Sequence, residues 1–303
     1  MTPHAFSLRQ LQYAVAVAET RGFRSAAERC HVSQPSLSAQ VAQLEAVLGV
    51  RIFERDRRRV LVTPAGEALL VHARRVLAEA DDLGAAATRA GDPLSGTVRV
   101  GVIPTISPYL LPEAVPALRR RFPRLVVLWI EEKTSVLLEE VREGRLEAVL
   151  LARVPGMDDL ERDLVAEDPF VLAGPPGHPL LRARRPAKVA DLEGERVLLL
   201  EDGHCFRDQA LAICSAGGAQ EVGFRATSLP TLTQMVAVGA GITLLPALAV
   251  DVENRRGELA LRPFAAPRPS RTLVLAWRRQ CPRAEALRSV AAAIREARRR
   301  TPR

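Results

Sequence analysis

Apolar residues recur at helical spacing in three successive stretches near the start of the chain. Leu8, Leu11, Val15, Val17 and Ala18 form one stripe, and Phe23, Ala26 and Ala27 form a second beyond Gly22. The second helix should end near Cys30-His31-Val32. Ser33 then suits an N-cap, and Gln34-Pro35 open a third helix, where the missing N–H of proline does no harm. Leu37, Val41, Leu44 and Leu48 give that helix a buried stripe, while Gln34, Ser36, Ser38 and Gln40 face the other way and Gly49 ends it. Short strands are expected around Ile52-Phe53 and Val60-Leu61-Val62, joined by a turn carrying Arg55, Arg57, Arg58 and Arg59. This is the order of a winged helix-turn-helix.

Thr63-Pro64 starts a long helix expected to reach about Ala90. Leu69, Val76 and Leu83 repeat every seven residues, and Ala73, Ala80 and Ala87 follow four positions later. That seam suits a helix–helix dimer contact; packing on its own domain is the alternative. Gly91-Asp92-Pro93 and Gly96 mark a linker. Beyond it, strand patterns appear at Val98–Ile103, Leu125–Glu131, Ala148–Leu151, Phe170–Ala173, Val197–Glu201, Val222–Ala226, Ile242–Leu245, Leu259–Arg262 and Leu273–Trp277, with helical stretches between many of them. Their near-continuous aliphatic runs predict an α/β region with a parallel sheet covered on both faces. Ligands are then expected at strand carboxyl ends and in a cleft between subdomains.

Charge narrows the class. The 303 residues carry a net +8, which suits a polyanionic partner. The cluster from Arg51 to Arg59 is the stronger nucleic-acid candidate; Arg295, Arg298, Arg299, Arg300 and Arg303 read as a solvated helix end. There is no run of 18 apolar residues and no basic-then-apolar leader, so a soluble, cytoplasmic protein is expected. Cys30, Cys205, Cys214 and Cys281 are too few to staple a chain this long.

Short polar side chains at the start of the third helix (Gln34, Pro35, Ser36, Ser38) can reach base edges in a major groove, and Gln34 can pair with adenine. On its own the segment is also an ordinary polar face. Cys205 and Cys214 stand nine residues apart in a stretch without Pro or Gly. If helical, their thiols lie on opposite faces and roughly 13 Å apart along the axis. A disulfide needs Cα atoms within about 7 Å, so the pair bonds only if the segment remodels. One reading is an attacking and a resolving thiol, with His204, Arg207 and the helix start lowering the pKa of Cys205 and Asp208 opposing them. The other is two small buried residues. Cys30 is expected in the core, and Cys281, before Pro282 in a polar turn, is expected to be exposed. No ligand set has zinc spacing, and Gly239-Ala240-Gly241 suits a turn rather than a phosphate loop.

Residues 8–66 resemble the winged helix-turn-helix of LysR-type transcriptional regulators. The resemblance rests on Ala26-Ala27, Val32-Ser33-Gln34-Pro35-Ser36, Leu44-Glu45, Leu48-Gly49, Phe53-Glu54-Arg55 and Thr63-Pro64-Ala65-Gly66. Over nearly its whole length the chain is similar to the peroxide-sensing members of that family. The runs that carry this are Ile103-Pro104-Thr105, Pro108-Tyr109-Leu110-Leu111-Pro112, Leu200 to Cys205 with Arg207-Asp208-Gln209, Phe224 to Leu229, and Gly241 to Pro246.

The resemblance implies an N-terminal winged helix-turn-helix over 1–63, a dimerisation linker helix over 64–92 and a regulatory domain over 93–303. That domain would have two Rossmann-like, periplasmic-binding-protein-like subdomains, one of about 97–166 and 270–303, the other about 167–269. By position it implies Cys205 as peroxidatic and Cys214 as resolving cysteine, with Thr105, Thr134, His204, Asp208 and Arg271 lining the peroxide pocket. Gln34, Pro35, Ser36, Ser38, Arg55, Arg57 and Arg58 would meet DNA. Implied partners are double-stranded promoter DNA, hydrogen peroxide as transient oxidant, RNA polymerase and further copies of the chain as dimer and tetramer, with no cofactor, metal or membrane and no enzymatic turnover. Alternatives are a regulator gated by a small metabolite in the cleft and a thiol peroxidase.

Overall fold

The computed structural model describes residues 5–55, 60–88 and 93–300. Two compact units meet in the sequence at Gly91 and Asp92. In the first, α1 (Leu8–Thr20) begins at a capping box between Ser7 and Gln10. It is followed by α2 (Phe23–Arg29) and α3 (Gln34–Leu48). The side chain of Ser33 accepts from the Ser36 N–H, and Gly49 ends α3 at φ 67°, a left-handed conformation that favours glycine. Leu11, Ala14, Val17, Ala26, Leu37, Val41, Leu44 and Phe53 form the core of this unit. Strands β1 (Phe53–Arg55) and β2 (Val60–Val62) pair antiparallel as the wing. Helix α4 (Pro64–Thr88) starts where the Thr63 hydroxyl accepts from the Gly66 N–H at 2.9 Å. Leu70 and Ala73 are buried, whereas Val76 and Leu83 are exposed by 44% and 74%.

The second unit contains β3 (Gly96–Val102), α5 (Ser107–Arg121), β4 (Leu125–Glu131), α6 (Thr134–Arg142) and β5 (Ala148–Ala152). The long strand β6 (Leu160–Gly174) leads to β7 (Arg196–Leu200), α7 (Cys205–Ala216), β8 (Gln220–Ala226) and α8 (Leu229–Ala237). The chain continues through β9 (Thr243–Pro246), α9 (Ala247–Glu253), β10 (Ala260–Pro263), β11 (Ser270–Arg278) and α10 (Ala284–Arg300). Strands β3, β4 and β5 are parallel. The expected parallel sheet is nevertheless mixed, because β11 runs antiparallel to both β5 and β6.

Strand β6 changes partners along its length. Residues Leu160–Pro169 pair with β11, and Phe170–Gly174 pair with β9 and β10. The same strand therefore belongs to both halves of the second unit. Its first half escapes the hydrophobic pattern because Glu161, Arg162 and Asp163 sit there half-buried. They are satisfied locally: Glu161 accepts from the Trp277 indole N–H at 3.2 Å, and Arg162 donates to the Met157 carbonyl at 2.9 Å. Strands β7 and β8 are parallel, and the Leu198 N–H donates to the Ile242 carbonyl at 2.9 Å, joining them to the edge at β9. Cys281, expected in an exposed turn, is buried between β11 and α10. Its N–H donates to the Arg278 carbonyl, so the turn folds inward over the apolar face of α10.

Candidate functional site

Strand β7 delivers the chain to a tight turn in which Gly203 has φ 93°. A side chain there would be strained and would press on Lys133. His204 follows as N-cap, and Cys205 is the first residue of α7. Facing it are Thr105, in the turn between β3 and α5, and Thr134, the first residue of α6. Both lie just past the carboxyl ends of parallel strands, where the alternation pattern places ligands. The floor comes from the crossing strands, on which Arg271 of β11 and Asp168 of β6 are register partners.

Thr105, Thr134, Asp168, His204, Cys205 and Arg271 are all buried. The Arg271 side chain has no exposed surface and spends its donors within the site. Its Nε donates to Asp168 Oδ2 at 2.9 Å, Nη1 to Thr105 Oγ1 at 2.8 Å and Nη2 to the Thr105 carbonyl at 2.9 Å. Asp168 also accepts from the Leu248 N–H at 2.8 Å, so the buried carboxylate is paired on both oxygens. The guanidinium carbon lies 5.8 Å from the Phe206 ring centroid. The Cys205 N–H points at Thr134 Oγ1, 3.4 Å away.

Burial pushes the Cys205 thiol up. The Thr134 hydroxyl, the Arg271 charge and the Ala152 backbone N–H pull it down without overcoming burial, and Asp208 adds to the rise. Cys214, near the other end of α7, is pushed up by burial to about 12. Both thiols are free. His204 is shifted down, first by burial and then by Lys133, with Glu201 opposing, so its imidazole is neutral at pH 7. Its buried Nε2 makes no hydrogen bond among the described residues. Lys133 and Glu201 form an ion pair beside it.

The expected residues therefore assemble, with corrections of detail. Asp208 opposes the thiolate as expected, but it is exposed rather than enclosed with the other pocket residues. His204 is no cation, and Arg207 is turned away onto Glu221 and Asp202; the cation serving Cys205 is Arg271. Asp168, Phe206 and the Lys133–Glu201 pair were absent from the sequence expectation. Asp168 lies just before the apolar strand pattern that begins at Phe170, and only the strand pairing reveals it opposite Arg271. Among the described residues no group of His, Cys, Asp and Glu is placed to hold a metal ion. No described helix is long and apolar enough to cross a membrane.

In the first unit, Gln34, Pro35 and Ser36 are exposed at the start of α3, and Ser38 is half-buried. Arg55 closes β1, but its side chain, with Arg57 and Arg58, lies outside the described residues, as does the expected helix end at Ala90. Residues 8–67 match a family described as bacterial regulatory helix-turn-helix protein, lysR family, and residues 91–299 match the LysR substrate binding domain. The chain belongs to the LysR family. This LysR-family chain is 45% identical over 290 residues to the DNA-binding transcriptional dual regulator OxyR of Escherichia coli K12, covering 95% of each. A full-length OxyR variant from Pseudomonas aeruginosa has a similar structure, with 38% identity, 97% and 96% coverage and a TM-score of 0.79. A peroxide-bound OxyR mutant from Corynebacterium glutamicum has 33% identity, 98% and 96% coverage and a TM-score of 0.66.

Proposed function

We propose that this LysR-family protein is a transcription regulator that senses hydrogen peroxide through Cys205 and Cys214. The observation that carries the reading is one buried thiol at a helix start, ringed by Thr105, Thr134, His204 and Arg271, in a chain with a winged helix-turn-helix. Thr105 Oγ1 accepts from Arg271, which leaves its own proton to donate to a peroxide oxygen. The unpartnered Nε2 of neutral His204 supplies a further polar contact. Arg271 favours the thiolate when the Cys205 proton leaves.

The sulfur lone pair attacks one peroxide oxygen and the O–O bond breaks. The departing hydroxide takes a proton and leaves as water, and Cys205 becomes a sulfenic acid. Cys214 sulfur then attacks Cys205 sulfur, the S–O bond breaks, and a second water is released with the disulfide. Helix α7 holds the thiols on opposite faces, so the second step needs the helix to open. Opening changes how the regulatory domain is presented, and the change reaches DNA through the oligomer.

In this reading residues 1–63 bind double-stranded promoter DNA through Gln34, Pro35, Ser36, Ser38, Arg55, Arg57 and Arg58. Residues 64–92 form the dimer, and 93–303 hold the sensor in its two subdomains. Dimers pair as a tetramer that acts on RNA polymerase at the nucleoid, in the cytoplasm. Peroxide is consumed stoichiometrically with the thiols, without catalytic turnover. The test combines thiol mapping with DNA footprinting before and after low-dose peroxide. Wild type should yield a peptide bridging Cys205 and Cys214 and a shifted footprint; Cys205→Ser should bind DNA with a footprint that ignores peroxide. A footprint that still responds in Cys205→Ser refutes the reading, and unchanged wild-type thiols with a metabolite-dependent footprint favour a ligand-gated regulator instead.

A further inference from the structure

Arg207 is one of the least exposed cations among the described residues, with 6% of its side chain accessible, yet it takes no part in the peroxide pocket. It sits in the first turn of α7, two residues after Cys205. Two steps of about 100° carry it to the face opposite Cys205, within roughly 20° of Cys214 seven residues on. On that face its guanidinium grips the sheet. Nη1 and Nη2 donate to the two carboxylate oxygens of Glu221 on β8 at 2.9 and 3.1 Å, the planar fork that matches guanidinium to carboxylate. Nη1 also donates to the Leu200 carbonyl at the end of β7 at 3.1 Å, and Nε to Asp202 in the turn at 2.9 Å.

Disulfide formation must close a gap of roughly 14 Å between Cα atoms on this helix to about 7 Å or less. At the far end of the helix the Cys214 carbonyl accepts the N–H groups of Gly217 and Ala219. Whichever end travels, Arg207 lies inside the loop being closed. We propose that Arg207 is a positioning residue whose fork on Glu221 clamps the first turn of α7 and sets the balance between the dithiol and the Cys205–Cys214 disulfide. The clamp rests on the peroxide-sensing reading and deepens it. It stabilises the reduced form only, so weakening it favours the disulfide. The balance of the step is unchanged: Cys214 sulfur displaces water from the Cys205 sulfenic acid, and no further reactant enters.

The test compares full-length wild type, Glu221→Gln, Arg207→Lys and Arg225→Gln. Glu221→Gln keeps the shape of the acceptor and removes its charge; Arg207→Lys keeps the charge and removes the fork. Arg225 touches the same acids, donating to Asp202 at 2.7 Å, but it lies on β8 and not on α7. In glutathione redox buffers Glu221→Gln and Arg207→Lys should each shift the equilibrium about tenfold toward disulfide, which is ~30 mV more negative for this two-electron couple. Arg225→Gln should stay within about twofold of wild type, because its side chain need not move when α7 opens. Sulfenic acid formation, read by dimedone trapping in a Cys214→Ser background, should be unchanged by Glu221→Gln, since Arg271 and Thr134 remain in place. An unchanged equilibrium in both clamp variants, or an equal shift in Arg225→Gln, overturns the clamp alone. A wild type that forms no Cys205–Cys214 bridge overturns the sensing reading and the clamp with it.

Discussion

Replacing Arg271 by Met separates what holds the site together from what makes its thiol reactive. The substitution keeps much of the side-chain volume and removes the partner of Asp168, a carboxylate on a residue 3% exposed. Breaking a buried pair by deleting one member costs about 3–5 kcal/mol, because the remaining charge is left uncompensated. For a domain of about 200 residues, where 1 kcal/mol corresponds to roughly 2–4 °C, the melting temperature should fall by roughly 6–20 °C. Adding Asp168→Asn removes that stranded charge while leaving an oxygen to accept the Leu248 N–H. The double variant should recover about 2–3 kcal/mol, a coupling typical of residues in direct contact. Its chemistry should not recover. Both Thr105 contacts and the charge that favours the Cys205 thiolate are gone, so oxidation by peroxide should stay at least about a hundredfold slow, the scale of losing one donor to developing charge. Calorimetry gives the first quantity and stopped-flow sulfenate trapping the second. A double variant as unstable as Arg271→Met, or one that reacts at the wild-type rate, would refute this assignment.

Two further outcomes follow from the same geometry. Thr134→Val deletes an interaction that draws the Cys205 thiol down, so the thiol rises further. Because the thiolate fraction grows with pH, the rising limb of the oxidation rate should move to higher pH, and a move to lower pH would contradict the hydrogen bond's role. Leu83→Asp places a charge on an exposed apolar position of α4; if that face is the dimer seam, losing one buried Leu per protomer, about 1.5–3 kcal/mol each, should raise the dissociation constant at least about tenfold by sedimentation.

Helices α1 to α3 and their caps were legible because each boundary is written locally: Ser33 before Gln34-Pro35, Gly49 after Leu48. The aliphatic strands were legible for the same reason, a short-range pattern with one reading. What escaped was non-local. The first half of β6 carries charges that are tolerable only because Trp277 and Met157 lie where the fold puts them. Arg207 looked like the cation for Cys205 because the two are two residues apart, but that spacing on a helix points it to the other face. Arg271, 66 positions beyond Cys205, is the cation that arrives. The location of the redox segment could be read from Gly203-His204-Cys205; the direction of the thiol shift could not, because desolvation depends on how completely the fold buries the thiol.

Strand β6 has a consequence for how this regulator can be taken apart. Its 15 residues supply pairing edges to β11 on one side of Pro169 and to β9 and β10 on the other. A fragment cut anywhere along it would present an open row of backbone donors and acceptors, so neither half should express as a well-behaved module. The regulatory domain is thus indivisible by gene truncation within β6, and any rotation between its halves has to twist that strand as well as swing the loop 264–269 that joins β10 to β11.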